Sequence, residues 1–175
     1  MIFLIGGESH TGKTLLAQKL LEKFYYPYLS LDHLKMGLIK GLKDFPFKID
    51  EDENIGDFLF PIIDGIIKTN IENKQNLIIE GIYFTPKVMQ KFKNNSYIKM
   101  LYIIFSKEYI LQNYELIYQK ENIIETRLTS EKENINILIS NHQYLKSQCE
   151  NFNLPFLEIK KDYEIEIQKA FEFFV

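Results

Sequence analysis

Two glycines, an ammonium and a hydroxyl stand in the run Gly7-Glu8-Ser9-His10-Thr11-Gly12-Lys13-Thr14, which fills the pattern G-x-x-x-x-G-K-[ST]. Each residue type has a job in holding phosphate. Glycines let backbone N–H groups turn inward around phosphate oxygens, and a helix starting at Lys13 adds partial positive charge. Lys13 is long enough to reach β- and γ-phosphates, and the Thr14 hydroxyl is placed to ligate Mg²⁺. The apolar run Met1–Ile5 ahead of the pattern reads as a strand, and Leu15, Leu16, Ala17, Leu20 and Leu21 after it read as a helix. Strand, loop and helix in that order are the context the chemistry requires, so the segment is expected to hold a nucleoside triphosphate through Gly7, Glu8, Ser9, His10, Thr11, Gly12, Lys13, Thr14 and Leu15.

Three further groups follow apolar runs. Asp32, in Ser30-Leu31-Asp32-His33, is placed to take a proton from a substrate hydroxyl or to cap the following helix, and the two roles are compatible. Glu80 ends Leu77-Ile78-Ile79-Glu80-Gly81, an apolar strand closing on an acid, where a carboxylate can hold Mg²⁺ through water or orient an acceptor. Arg127 lies in Gln119–Ser130, where a lid is expected at about residues 120–131. Its fork of donors matches spread phosphoryl charge better than an ammonium does. Lys160-Lys161-Asp162-Tyr163 follows the last strand but shows no pattern specific enough to assign a contact.

The elements that must position these groups alternate. Strands are expected at Ile2–Ile5, Tyr28–Leu31, Asn76–Ile79, Ile98–Phe105 and Pro155–Ile159. Helices are expected near Lys13–Phe24, His33–Gly41, Ile55–Asn73, Lys87–Asn94, Lys107–Tyr118, Glu131–Asn151 and Tyr163–Phe174. Such alternation implies an α/β fold, a parallel sheet covered by helices on both faces, with ligands at the carboxyl ends of the strands. Asp32, Thr85-Pro86, the capping box Ser130-x-x-Glu133 and Asp162 read as helix starts. The polar stretch Asp44–Asn54, with Asp50-Glu51-Asp52-Glu53, reads as a solvated surface loop.

Composition narrows the classes. The 175 residues suit a single domain spanning 1–175, and the 46% hydrophobic and 26% charged content is that of a soluble globular chain. A net charge of −3 with no basic stripe gives no sign of a nucleic-acid partner. The lone Cys149 excludes an internal disulfide, and His10, His33 and His142 lack zinc-ligand spacing. With no signal-peptide pattern and no membrane-length apolar run, a cytoplasmic protein without membrane contact is expected, as a monomer or homodimer. A GTPase would carry N-K-x-D after the fourth strand. Here Asn73-Lys74-Gln75-Asn76 precedes the third strand and lacks the acid.

The chain resembles the small P-loop kinases related to adenylate, shikimate and gluconate kinases, chloramphenicol phosphotransferase and zeta toxins. More closely it is similar to bacterial ATP-binding proteins of adenylate kinase-like or 2-phosphoglycerate kinase-like type. The likeness is carried by Gly6–Thr14, Leu29-Ser30-Leu31-Asp32, Ile78-Ile79-Glu80-Gly81, Glu121–Ser130 and Tyr144–Phe156. It implies a P-loop NTPase three-layer α/β/α fold, a five-stranded parallel sheet in the order 2-3-1-4-5 and a short helical lid. It also implies ATP with Mg²⁺ and γ-phosphate transfer to a hydroxyl of a small-molecule acceptor. On that pattern Lys13, Asp32 and Arg127 are the catalytic candidates, and Thr14 and Glu80 the metal ligands. A single arginine departs from monophosphate kinases, which grip two sets of phosphates with several. A neutral hydroxyl acceptor is therefore expected ahead of an adenylate-type kinase, a toxin-like sugar-nucleotide kinase or a nucleotide-binding regulatory protein.

Overall fold

Runs such as Ile2–Ile5 and Met100–Phe105 are apolar at every position rather than at alternate ones, so the strands they form need cover on both faces. The computed structural model describes residues 1–47, 52–120 and 132–175 and provides that cover. In chain order the elements are β1 (Ile2–Gly7), α1 (Lys13–Phe24), β2 (Tyr28–Ser30), α2 (Leu31–Gly41), α3 (Asp52–Glu72), β3 (Leu77–Glu80) and α4 (Pro86–Met89). A 3₁₀ turn over Gln90–Phe92 leads into β4 (Ile98–Phe105), α5 (Lys107–Gln119), α6 (Ile135–Phe152), β5 (Phe156–Ile159) and α7 (Tyr163–Phe174). The strands form one parallel sheet in the order β2-β3-β1-β4-β5. This is the expected three-layer α/β/α architecture.

Strand alternation splits the core in two. Ile2, Leu4, Ile79, Met100 and Ile104 face one layer, against Ile55, Leu59, Ile63 and Ile67 of α3 and Leu145 and Cys149 of α6. Phe3, Ile5, Ile78, Leu101 and Ile103 face the other, against Leu16 and Leu20 of α1, Ile110 of α5 and Ile167 and Phe174 of α7. The spacings 55-59-63-67 and 16-20 are the helical stripe that buries one face of each helix. Cys149 is a buried free thiol within this core, and burial pushes its pKa up to about 12. Among the described residues no helix is long and apolar enough to cross a membrane.

Several expected boundaries shift. The third helix starts at Asp52 rather than Ile55, so Asp52 and Glu53, expected in a solvated loop, open α3. The second helix starts at Leu31 with Ser30 as its N-cap, so Asp32 sits in the first helical turn instead of capping it. Leu31 is fully buried and must dock at once, which draws the helix start back to the strand end. Asp32 still meets the positive end of the helix there. The segment Lys87–Asn94 is broken into α4 and the 3₁₀ turn. The sixth helix begins at Ile135, capped by Asn134 accepting from the Asn136 N–H at 2.9 Å, so Glu133 lies outside it and the expected capping box is not the cap. Ser130, Arg127 and the lid segment 121–131 lie outside the described residues, as do Asp50 and Glu51. Asp162 caps α7 as expected, accepting from the Ile165 N–H at 3.1 Å.

Gly81, just past β3, lies in close contact with α2. A methyl group there would stand 2.7 Å from Leu31 Cβ, with Leu31 itself held by the core. Gly81→Ala is therefore expected to cost about 1–3 kcal/mol of stability through overpacking. Equilibrium urea unfolding reads this as a lowered midpoint with unchanged slope.

Candidate active site

The register of β1 against β3 sets Ile5 opposite Glu80, and the Gly81 N–H donates to the Ile5 carbonyl at 3.1 Å. The loop leaving β1 and the acid ending β3 therefore emerge side by side, although they are far apart in sequence. The Thr14 hydroxyl donates to Glu80 Oε1 at 3.3 Å. Ser30, paired with Glu80 in the β2–β3 register, also hydrogen-bonds the carboxyl. Glu80 is only 3% exposed, and burial raises its pKa, opposed by the charge of Lys13 and by the bonds from Ser30 and Thr14, with Asp32 adding to the rise.

The Gly7–Gly12 loop is shaped by backbone that side chains disfavour. Gly7 has φ +141° and a Cβ would stand 2.5 Å from the Ile103 carbonyl oxygen, so the loop start is pressed against β4. Gly12 has φ +80° and is covered by the Tyr163 ring, whose hydroxyl donates to the Thr11 carbonyl at 3.2 Å. The Thr11 hydroxyl ties the loop across itself, donating to the Glu8 carbonyl at 2.9 Å. Lys13 is 7% exposed, and its Nζ donates to the same carbonyl at 2.6 Å. A buried ammonium beside a curled backbone at the start of α1 is an anion-binding arrangement.

One cleft gathers the expected groups. Ser9, His10, Gly12, Lys13, Thr14, Leu15, Asp32 and Glu80 all line it, while Gly7, Glu8 and Thr11 build the loop beneath. The opposite wall comes from Phe105, Tyr109 and Ile117, with Tyr163 after β5 and Lys120, a second lid candidate beside Arg127. Lys120 pairs with Glu164 at 3.1 Å and stands 5.5 Å from the centroid of the Tyr163 ring. The cleft is thus cationic and oxygen-rich at the loop and aromatic at its far wall. The Thr14 hydroxyl and the Glu80 carboxyl are hard oxygen donors in contact with each other. They fit Mg²⁺, which takes one or two protein oxygens and completes its shell with phosphate and water. Among the described residues no group of three or more His, Cys, Asp or Glu could hold a metal without such help.

Fold and loop together define the class of architecture, a three-layer α/β/α P-loop fold. No protein-family model matches the chain, and no curated protein matches it by sequence. Solved structures do match it. Shikimate kinase from Aquifex aeolicus superposes at TM-score 0.55 and 14% identity, over 97% of this chain and 93% of that one. Gluconokinase from Sinorhizobium meliloti 1021 does so at TM-score 0.55 and 10% identity, over 98% and 89%. Shikimate kinase from Bacteroides thetaiotaomicron does so at TM-score 0.54 and 13% identity, over 99% and 98%. At these identities the likeness is one of fold.

Behind the cleft, His142 of α6 accepts a hydrogen bond at Nδ1 from the Phe105 N–H at 3.0 Å, and its ring stacks on that of Phe105. His142 is 1% exposed, and burial, reinforced by the charges of Lys13 and His10, pushes its pKa down to about 3. It is therefore neutral in the folded protein and carries its proton on Nε2. Because the folded value lies below the roughly 6.5 of an unfolded chain, its contribution is full above about pH 6.5 and is lost as pH falls toward 3. Unfolding midpoints measured from pH 7 to pH 4 should fall more steeply for the native chain than for His142→Gln. Parallel profiles would contradict a buried neutral imidazole.

Proposed function

We propose that the protein is an ATP-dependent phosphotransferase that moves the γ-phosphate of MgATP to a hydroxyl of a small-molecule acceptor. The observation that carries this reading is the contact of Thr14 with Glu80 beside the buried Lys13, with Asp32 lining the same cleft. The Gly7–Gly12 loop amides and the start of α1 hold the phosphates, and Lys13 neutralises charge on the β- and γ-oxygens. The aromatic wall of Tyr109 and Tyr163 takes the nucleoside end. Thr14 and Glu80 would hold Mg²⁺, which would supply charge neutralisation for the phosphates. Asp32 accepts the proton of the attacking hydroxyl. Tyr163, clamped over Gly12, fixes the loop and limits water at the phosphates. Arg127, outside the described residues, is the one guanidinium the chain offers to the transferring group.

Lys13→Ala should abolish acceptor-dependent ADP formation. Asp32→Asn should leave affinity for a fluorescent ATP analogue within about twofold while lowering transfer by about 10²–10⁴-fold, the loss typical of a general base. Acceptor-dependent ADP formation surviving in Lys13→Ala would overturn the reading. An equal loss of nucleotide binding in Asp32→Asn would make that carboxylate structural.

A further inference from the structure

A second cavity adjoins the donor cleft and shares Ser9 and Ile82 with it. Its position follows from the loop. Lys13 Nζ lies on the Glu8 carbonyl, so Glu8 marks the end of the loop to which the ammonium, and with it the γ-phosphate end of a bound triphosphate, is directed. The Glu8 side chain lines this second cavity, together with Asp57 and Glu133, and Thr85 and Asn141 add hydrogen-bonding groups. Three carboxylates and no Lys, Arg or His stand among its described lining residues. Lys35 lies over the Tyr83 ring at 5.3 Å and Lys13 reaches the Glu8 carbonyl from the donor cleft, both outside that lining.

Glu133 is held in place rather than trailing in solvent. Its carboxylate accepts from Asn141 Nδ2 at 3.2 Å, its N–H donates to the Tyr118 hydroxyl at 3.1 Å, and its carbonyl accepts from the Tyr114 hydroxyl. Glu8 and Glu133 are close enough to act on each other. Burial raises the Glu8 pKa and the charge of Glu133 adds to the rise, with Lys13 acting against both. Two fixed, mutually repelling carboxylates in a partly dry cavity favour a cationic guest and disfavour an anionic one. The amide of Asn141 and the hydroxyl of Thr85 suit a guest that also carries hydroxyls.

We propose that this cavity is the acceptor site and that the acceptor is a hydroxyl compound bearing a protonated amine, its ammonium held by Glu8 and Glu133 and its hydroxyl turned toward Asp32. The proposal rests on the reading of the first cleft as the ATP site. In the transfer the acceptor oxygen bonds to the γ-phosphorus and the bond from that phosphorus to the β–γ bridging oxygen breaks. The hydroxyl proton passes to Asp32, and ADP and the O-phosphate ester of the acceptor, its ammonium intact, leave.

The test is ADP release from MgATP with a panel of amino sugars, aminocyclitols and amino alcohols, beside their N-acetyl derivatives and the matching sugar phosphates and sugar acids. Amine-bearing members should be turned over, and N-acetylation should raise KM about tenfold or more, the loss expected of one charge-assisted hydrogen bond. Glu133→Gln should raise KM for the amine acceptor by a similar factor while the affinity for a fluorescent ATP analogue stays within about twofold. Preference for N-acetylated or anionic members, or an unchanged acceptor KM in Glu133→Gln, would overturn the acceptor class. So would failure of every amine to release ADP from a protein that binds the ATP analogue, and the donor site would then stand without it. Absence of ATP-analogue binding would instead overturn the donor site, and with it the proposal.

Discussion

The pairing of β1 with β3 is the constraint on which the site depends. Ile5 opposite Glu80 fixes how far each strand runs before its chain turns away, and the Gly81 N–H locks that register to the Ile5 carbonyl. A parallel strand slipped by one residue would turn Glu80 to the other face of the sheet and bury Ile79 in its place. Because β1 is buried on both faces and flanked by β3 and β4, such a slip would also disturb both halves of the core. The Thr14–Glu80 contact is thus maintained by apolar packing far larger than the hydrogen bond itself, which is worth about 1 kcal/mol net.

Charge in the cleft is arranged around Lys13. Its ammonium favours the ionised forms of Glu8 and Glu80, opposing the burial that raises the pKa of both. One buried cation serving two carboxylates, on a backbone curled to present N–H groups, leaves attraction for a multiply charged anion together with a divalent cation. The second cavity adds Asp57 and Glu133 to Glu8 with no Lys, Arg or His among its described lining residues, so carboxylates outnumber the Lys13 ammonium that acts on Glu8. His142, kept neutral beneath Phe105, supports the wall between α6 and β4 without adding charge to it.

Much of the architecture was legible in the chain. The strand-loop-helix context of Gly7–Thr14 and the acid ending an apolar strand at Glu80 depend on local order, and the structure brings both to one place. The bounds of α1, β4 and α7 agree with the periodicity because strong apolar stripes begin and end there. The start of α2 was missed because burial of Leu31 against the sheet outranked the capping preference of Asp32. The aromatic wall was hidden for a different reason. Tyr109 and Tyr163 lie on α5 and α7, and only the closure of α7 over Gly12 brings Tyr163 to the loop. Glu133 has the spacing of a capping box, whereas bonds to Tyr114 and Tyr118 hold it at the cavity it shares with Glu8.

The central claim is that the Gly7–Thr14 loop and Glu80 receive the triphosphate of MgATP. Phosphorus-31 resonances of ATP followed during titration with the protein in Mg²⁺ test it most directly. Binding in the loop predicts that the β- and γ-phosphate signals shift and broaden together, and that adenosine competes far less well than ADP. Unchanged β- and γ-signals at saturating protein, or adenosine competing as well as ADP, would contradict it.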